Sequence, residues 1–479
     1  MYKFKTKPFE HQKEAFQESW DKPSFALFME MGTGKSKVVV DTMGALFMEK
    51  KIESCLIFAP KGVFDNWVER EIPIHIDDSI KKSVIRWQPN ITVGFKKQFD
   101  TFVKLGKDTL KIFVMNIESL STTKGAATAF WFCKRFKDNL VVVDESTTIK
   151  NRKANRTKAV LKLGNDCKYK RILTGSPVTK SPMDLYSQIG FLGDYLNFKS
   201  YFAFQARYAI IRRRTHANRS FQEVLGYQRL DELNEKISHI SKRVLKKDCL
   251  DLPEKIYMRR NVTLTKKQRE LYEQMRRLAL AQVDSGALST TNNALTQIMR
   301  LQQICSGFIK DDGGEITYLE NNRIDELIKV CEETTGKVII WATFIHDIEK
   351  ICEQLSKQYG ALSYGAFFGG TSTKDRTKII DTFQDKHSKM RFFVGQSRTG
   401  GMGITLHEAQ TVIYYSNNYD LSVRLQSEDR AHRIGQKKNV TYIDMIAPNT
   451  IDEKILTALQ NKQNIASTVL GEELREWFL

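Results

Sequence analysis

Three groups of residues in this chain could do chemistry on a phosphate. The first is Gly32-Thr33-Gly34-Lys35-Ser36. It follows the apolar run 25–29 and opens into 37–46, which reads as a helix. Strand, glycine turn and helix N-terminus together make a phosphate cradle. The glycines let backbone N–H groups point inward, Lys35 brings a charge to the β/γ-phosphates of a nucleotide, and the Ser36 hydroxyl suits Mg²⁺. The full Gly-x4-Gly-Lys-Ser spacing is not met, because Met29 holds the first glycine position. A chance Gly-Lys-Ser in an ordinary loop is the alternative for this stretch alone. The second group is Asp144-Glu145, at the end of the apolar run 140–143. Asp144 can hold Mg²⁺, and Glu145 can orient and deprotonate an attacking water. The plainer reading is a solvated acidic turn. The third is Arg430 and Arg433, one helical turn apart, so that both guanidiniums project to one side. Such a pair can stabilise charge on a transferred phosphoryl group. The plainer reading is surface salt bridges to Glu428 and Asp429.

These residues need strands to hold them. The runs 55–59, 112–115, 338–341, 392–394, 411–415 and 440–445 read as buried strands alternating with helices. That alternation predicts an α/β fold with parallel sheets. Ligands then bind at the carboxyl ends of the strands. Lys61 stands at such an end, after Pro60. So do Thr174-Gly175-Ser176-Pro177, short hydrogen-bonders able to sense a γ-phosphate. The segment 395–403, with Ser397, Arg398 and Gly403, follows another strand and lets backbone approach phosphate or nucleic acid. Gln12 can both donate to and accept from an adenine edge, although an exposed helical glutamine is the commoner case. Trp67 reads as core. A long helix is expected from 266 to 283 and an amphipathic one from 451 to 460. Asp311-Asp312-Gly313-Gly314 reads as a turn and hinge.

Composition narrows the partners. Lys and Arg number 75 and Asp and Glu 56, a formal charge of +19, and nucleic acid is the default polyanion for such a chain. Residues 198–261 break the alternation and hold 15 basic against 7 acidic residues, a net of +8. Arg212, Arg213, Lys246 and Lys247 belong to these runs. On helices they would suit phosphate backbones, which carry no sequence information. A solvated helix face is the alternative. Seven scattered cysteines form no Cys-x-x-Cys pair, which argues against a zinc site or disulfide framework. No apolar run approaches the roughly 18 residues of a membrane span, and no signal-peptide core follows the N-terminus. A cytoplasmic protein is expected.

The order of these motifs resembles a superfamily-two helicase motor, and more narrowly the Swi/Snf family. The shorter Gly-x-Gly-Lys-Ser loop is the helicase form. Asp144-Glu145 with Thr148-Ile149-Lys150-Asn151 resembles that family's Asp-Glu-x-His-x-Ile-Lys-Asn. Leu173-Thr174-Gly175-Ser176-Pro177, Lys246-Lys247-Asp248 with Leu252-Pro253-Glu254-Lys255, and Gln426 to Gln436 around Glu428-Asp429-Arg430-Ala431-His432-Arg433-Ile434-Gly435 are similar to further family motifs. Ser146-Thr147 replace the family's Ala/Gly-His. The resemblance implies two RecA-like parallel-sheet P-loop lobes with a basic helical insertion. The lobes would be 1–197 and 316–479, with the insertion at 198–261 and linker helices at 262–315. It implies ATP and Mg²⁺ as cofactors, with Gln12, Gly32, Thr33, Gly34, Lys35, Ser36, Asp144 and Gly403 around the nucleotide. Ser36 and Asp144 would hold the metal. Lys35, Glu145, Arg430 and Arg433 would serve catalysis. Nucleic acid would meet Lys61, Arg212, Arg213, Lys246, Lys247, Ser397 and Arg398. The family reading is a monomeric ATPase translocating along double-stranded DNA, in a minimal, stand-alone prokaryotic or phage form. Alternatives are a strand-separating helicase on branched DNA or RNA, a clamp that only binds ATP, and the motor subunit of a larger machine.

Overall fold

The computed structural model describes residues 2–61, 63–178, 181–216, 219–249, 252–284, 291–311, 313–400 and 404–460. The chain divides into two compact units, Met1–Leu250 and Asp251–Leu479.

The first unit is built on seven strands. They are β1 (Ser24–Met29), β2 (Ser54–Ala59), β3 (Lys82–Arg86), β4 (Leu110–Asn116), β5 (Asn139–Asp144) and β6 (Tyr169–Leu173). A later strand, Ser241–Val244, completes the sheet. It is β9, because a separate antiparallel hairpin, β7 (Ala209–His216) and β8 (Arg219–Tyr227), precedes it. The order is β3-β4-β2-β5-β6-β1-β9, and every pairing is parallel. Helices cover both faces, so the central strands are apolar on both sides. In β1, Ala26 and Phe28 join one core while Phe25, Leu27 and Met29 join the other. In β5, Val141 and Val143 oppose Leu140 and Val142 in the same way.

The register decides what the sheet can do. Leu173 of β6 pairs with Leu27 of β1 on one side and with Asp144 of β5 on the other. β5 and β6 therefore end level with one another, β1 beside them runs on to Met29, and each continues into one of the polar motifs.

The second unit carries β10 (Lys255–Asn261), a small antiparallel hairpin of β11 (Phe308–Lys310) and β12 (Ile316–Tyr318), then β13 (Lys337–Ala342), β14 (Tyr364–Phe367), β15 (Phe392–Gln396), β16 (Ala409–Tyr414) and β17 (Val440–Ile446). Its six-stranded sheet runs β10-β17-β16-β13-β15-β14, again all parallel. Val338 and Ile340 of β13 face one core, Ile339 and Trp341 the other. A third apolar cluster joins the helices Lys266–Asp284, Thr291–Ser306 and Ile451–Gln460 through Tyr272, Ile298, Leu301, Ile455 and Leu459.

The region 198–261 differs from the expected helical insertion. It contains the β7–β8 hairpin, and its later residues supply β9 to one sheet and β10 to the other. Ile210, Ile211, Thr215 and Phe221 favour strands over helices, and Arg212 stands opposite Glu223 in the hairpin register. β9 and β10 are edge strands, where Lys and Arg are well tolerated. The turn at 311–314 joins β11 to β12 within the second unit, so the expected hinge is not there.

Candidate functional site

The phosphate loop is held open by two glycines with positive φ, Gly32 at 80° and Gly34 at 88°. Gly34 is the N-cap of the helix Lys35–Met48. A Cβ on Gly34 would stand 2.1 Å from Gln12 Nε2, so conformation and packing both demand glycine. Gln12 is buried. Its Nε2 donates to the Thr33 carbonyl at 3.0 Å, and its Oε1 accepts from the Phe9 N–H at 3.1 Å. His11 Nε2 also lies 2.8 Å from the Thr33 carbonyl. Gln12 therefore braces the loop. Lys35 Nζ donates to the carbonyls of Met29 at 2.8 Å and Glu30 at 3.2 Å, which folds it back over the loop.

Asp144 ends β5 and is buried. Burial pushes its carboxyl above the usual carboxylate range; the Trp67 indole, the Lys35 charge and the Glu145 N–H pull it back. Trp67 Nε1 donates to Oδ2 at 2.9 Å, and the Glu145 N–H to Oδ1 at 2.9 Å. Glu145 sits at φ 47°, a left-handed conformation that costs a non-glycine residue and recurs at functional sites. Glycine cradle, helix N-terminus and Lys35 fit a nucleotide triphosphate. The Asp144 carboxylate and Ser36 hydroxyl are hard oxygen donors suited to Mg²⁺.

The turn after β6 lies against this loop. A Cβ on Gly175 would come within 3.1 Å of the Met31 N–H nitrogen. Thr174 Oγ1 accepts from the Ser176 N–H at 3.2 Å. Arg243 of β9 donates to the Gly175 carbonyl at 2.8 Å and the Phe28 carbonyl at 3.3 Å, tying turn to strand end.

In the second unit, the helix Leu421–Glu428 stops before Arg430 and Arg433. The two arginines lie in the turn beyond it, not on one helix face as expected. They still converge: Nη1 of each donates to the Ile404 carbonyl, at 3.0 Å from Arg430 and 3.2 Å from Arg433. Arg430 Nε also donates to the Gln426 carbonyl at 3.0 Å. Beneath them, buried Arg424 pairs with Glu428 and Asp444, which holds the helix end in place.

The expected nucleic-acid residues separate into two sets. Lys61, Arg212, Lys247 and Arg398 are exposed. Lys246 and Ser397 are buried, against the expectation of a basic or polar surface. The Lys246 N–H donates to the Glu30 carboxylate at 2.8 Å, so this residue supports the phosphate loop. The Ser397 hydroxyl has no hydrogen-bond partner among the described residues. Arg213 lies on β7, opposite Gln222. Gly403 lies outside the described residues.

A model of the SNF2-related domain matches residues 11–307, and one of the helicase conserved C-terminal domain matches 320–435. The chain belongs to the SNF2-related family. This pairing of domains is that of ATP-hydrolysing nucleic-acid motors. An uncharacterized ATP-dependent helicase of Mycoplasma genitalium is 26% identical over 93% of this chain and 40% of its own length. The ISWI chromatin-remodeling complex ATPase ISW2 of Saccharomyces cerevisiae is 25% identical over 94% of this chain and 39% of its own. The chain thus spans about two fifths of these relatives. A solved Sulfolobus solfataricus SWI2/SNF2 ATPase core in complex with dsDNA aligns over 99% of this chain and 96% of its own at 24% identity, with a TM-score of 0.43. The SNF2-related match covers the phosphate loop, the acidic pair and the 174–177 turn; the C-terminal match covers both arginines.

Sequence reasoning missed Trp67 as a partner of Asp144. Nothing local in the sequence pointed to it; the structure places Trp67 at the start of a π-helical turn, Trp67–Glu71, a feature common at functional sites. It also missed Gln188, and it placed Lys246 on nucleic acid and not beside the phosphate loop, because these contacts come from distant segments.

Proposed function

We propose that this chain is a DNA-dependent ATPase that translocates along double-stranded DNA and remodels DNA or protein–DNA complexes. The observation that carries the reading is the parallel pairing of β5, β6 and β1 as neighbours with their carboxyl ends on one edge, which supports one site made of Lys35, Asp144-Glu145 and the 174–177 turn. ATP is assigned to Gln12, Gly32, Thr33, Gly34, Lys35 and Ser36, and Mg²⁺ to Ser36 and Asp144. When bound, Mg²⁺ supplies positive charge to the phosphate oxygens. Lys35 gives up its carbonyl partners for the β/γ-phosphates. Glu145 holds the attacking water and accepts its proton. Arg430 and Arg433 are assigned to the charge that develops on the transferred γ-phosphoryl group. Lys61, Arg212, Arg213, Lys247 and Arg398 are assigned to the phosphate backbone of DNA. The chain acts as a monomer in the cytoplasm of a bacterial or phage-infected cell.

Steady-state ATP hydrolysis tests the reading, run without nucleic acid and with duplex DNA, single-stranded DNA and RNA, with Glu145→Gln as the inactive control. Strong stimulation by duplex that weakens with salt is the expected outcome. Stimulation only by single strands or RNA favours the strand-separating reading, for which the β7–β8 hairpin is a candidate wedge. No turnover with any of them overturns the ATPase assignment.

A further inference from the structure

A buried polar chain connects the acidic pair to the phosphate-sensing turn. Ser146 directly follows Glu145 and is fully buried. Its hydroxyl donates to Gln188 Oε1 at 2.7 Å. Gln188, also fully buried, lies on the helix Leu185–Leu192. Its Nε2 donates to the Pro177 carbonyl at 2.7 Å and to the Asp184 carbonyl at 2.8 Å. Two carbonyls can only accept, so the amide has one orientation, and its oxygen must face the serine. Pro177 closes the turn that begins at Thr174, and Gly175 in that turn packs against Met31 of the phosphate loop. The path runs from Met31 through the turn to Gln188, Ser146 and Glu145. Glu145 is the residue held at φ 47°, so its backbone has little freedom to move independently of this chain.

We propose that Gln188, acting with Ser146, is a positioning residue that ties the Glu145 backbone to the 174–177 turn, so that occupancy of the phosphate loop sets the catalytic geometry of Glu145. This rests on the ATPase reading above. A group on the helix Leu185–Leu192 is remote in sequence from every motif that touches nucleotide, yet two hydrogen bonds place it between two of them. The competing account is purely structural. In that account the amide and hydroxyl merely satisfy one another and the two carbonyls inside a core, and removing both together takes a donor from the Pro177 and Asp184 carbonyls, at a cost in stability and not in turnover.

The double variant Ser146→Ala/Gln188→Leu separates the two accounts. With thermal stability and nucleotide affinity within about twofold of wild type, kcat is expected to fall by about tenfold or more, KM for ATP to stay unchanged, and the DNA stimulation ratio to fall with kcat. A double variant with wild-type kcat and stimulation overturns the proposal. If Gln188→Leu prevents folding, Ser146→Ala alone removes one hydroxyl and reads the same link: unchanged turnover at unchanged stability again overturns it. Failure of the underlying reading looks different, because wild-type protein then shows no turnover with any nucleic acid, and the link falls with it.

Discussion

At the scale of single residues, the site is a set of charges each held by a partner from elsewhere. Asp144 shows this most clearly. A buried carboxylate is expensive unless its oxygens are hydrogen-bonded, and Trp67 supplies one of those bonds. Trp67→Phe keeps the ring in the core and removes only the N–H. Hydrogen bonds to charged groups contribute about 1.5–3 kcal/mol, so the KM for Mg-ATP is expected to rise by roughly tenfold with the fold intact. Unchanged kinetics would remove Trp67 from the site. In the second unit, Arg430 is braced in a similar way. Its donors already meet the Gln426 and Ile404 carbonyls, so its guanidinium is oriented in advance. Arg430→Ala is expected to retain ATP binding and lose turnover. Wild-type hydrolysis by this variant would end the charge-stabilising assignment.

At the scale of elements, the second unit depends on buried charge at the ends of its strands. Arg323 is fully buried and pairs with Asp452 at the start of the helix Ile451–Gln460. It also donates to the Tyr415 carbonyl at 2.5 Å. Arg323→Met leaves Asp452 buried and unpaired. Breaking such a pair costs about 3–5 kcal/mol, which urea unfolding of the full chain would register as a lower midpoint. Asp347 lies near the start of the helix Ile345–Tyr359, and Ser416 donates to it at 3.4 Å. Burial raises its pKa to about 7; Arg323, Ser306, Ser416 and Lys350 limit the rise. The folded state therefore holds this proton more tightly than the unfolded chain. The group's stabilising contribution is complete below about pH 4 and is lost as pH rises through 7. Asp347→Asn keeps the shape without the charge. It should flatten the stability profile between about pH 4 and pH 7 and stabilise the fold above it. A variant profile parallel to wild type would show that Asp347 does not titrate in that window.

At the scale of the whole molecule, the net charge of +19 matters more than any single lysine. Nucleic-acid affinity built on phosphate contacts falls with salt at a slope of about 0.9 per contact on duplex DNA. Arg212, Arg213 and Arg214 sit together on β7 of the hairpin. Replacing all three with alanine should lower that slope by nearly three units if each meets a phosphate, as measured by duplex binding across a salt series. An unchanged slope would take the hairpin off the DNA path. The hairpin is also where local reading of the chain fell short. Clusters of arginine were read as helix faces, while the β-branched residues between them decided for strands.

By itself the sequence determined the chemistry and the central strands. Glycine freedom at 32 and 34, adjacent carboxylates at 144 and 145, and unbroken apolar runs are local properties, and a strand buried on both faces needs little more than such a run. The short edge strands β3 and β14 escaped notice because they lack the fully apolar run. Tertiary structure alone decided the rest. That Leu173 pairs with both Leu27 and Asp144, that Trp67 reaches Asp144, and that the Lys246 backbone N–H donates to Glu30 are all contacts between segments far apart in the chain. Local periodicity carries no information about which strands become neighbours. Only sheet pairing and core packing bring the separate motifs to one edge.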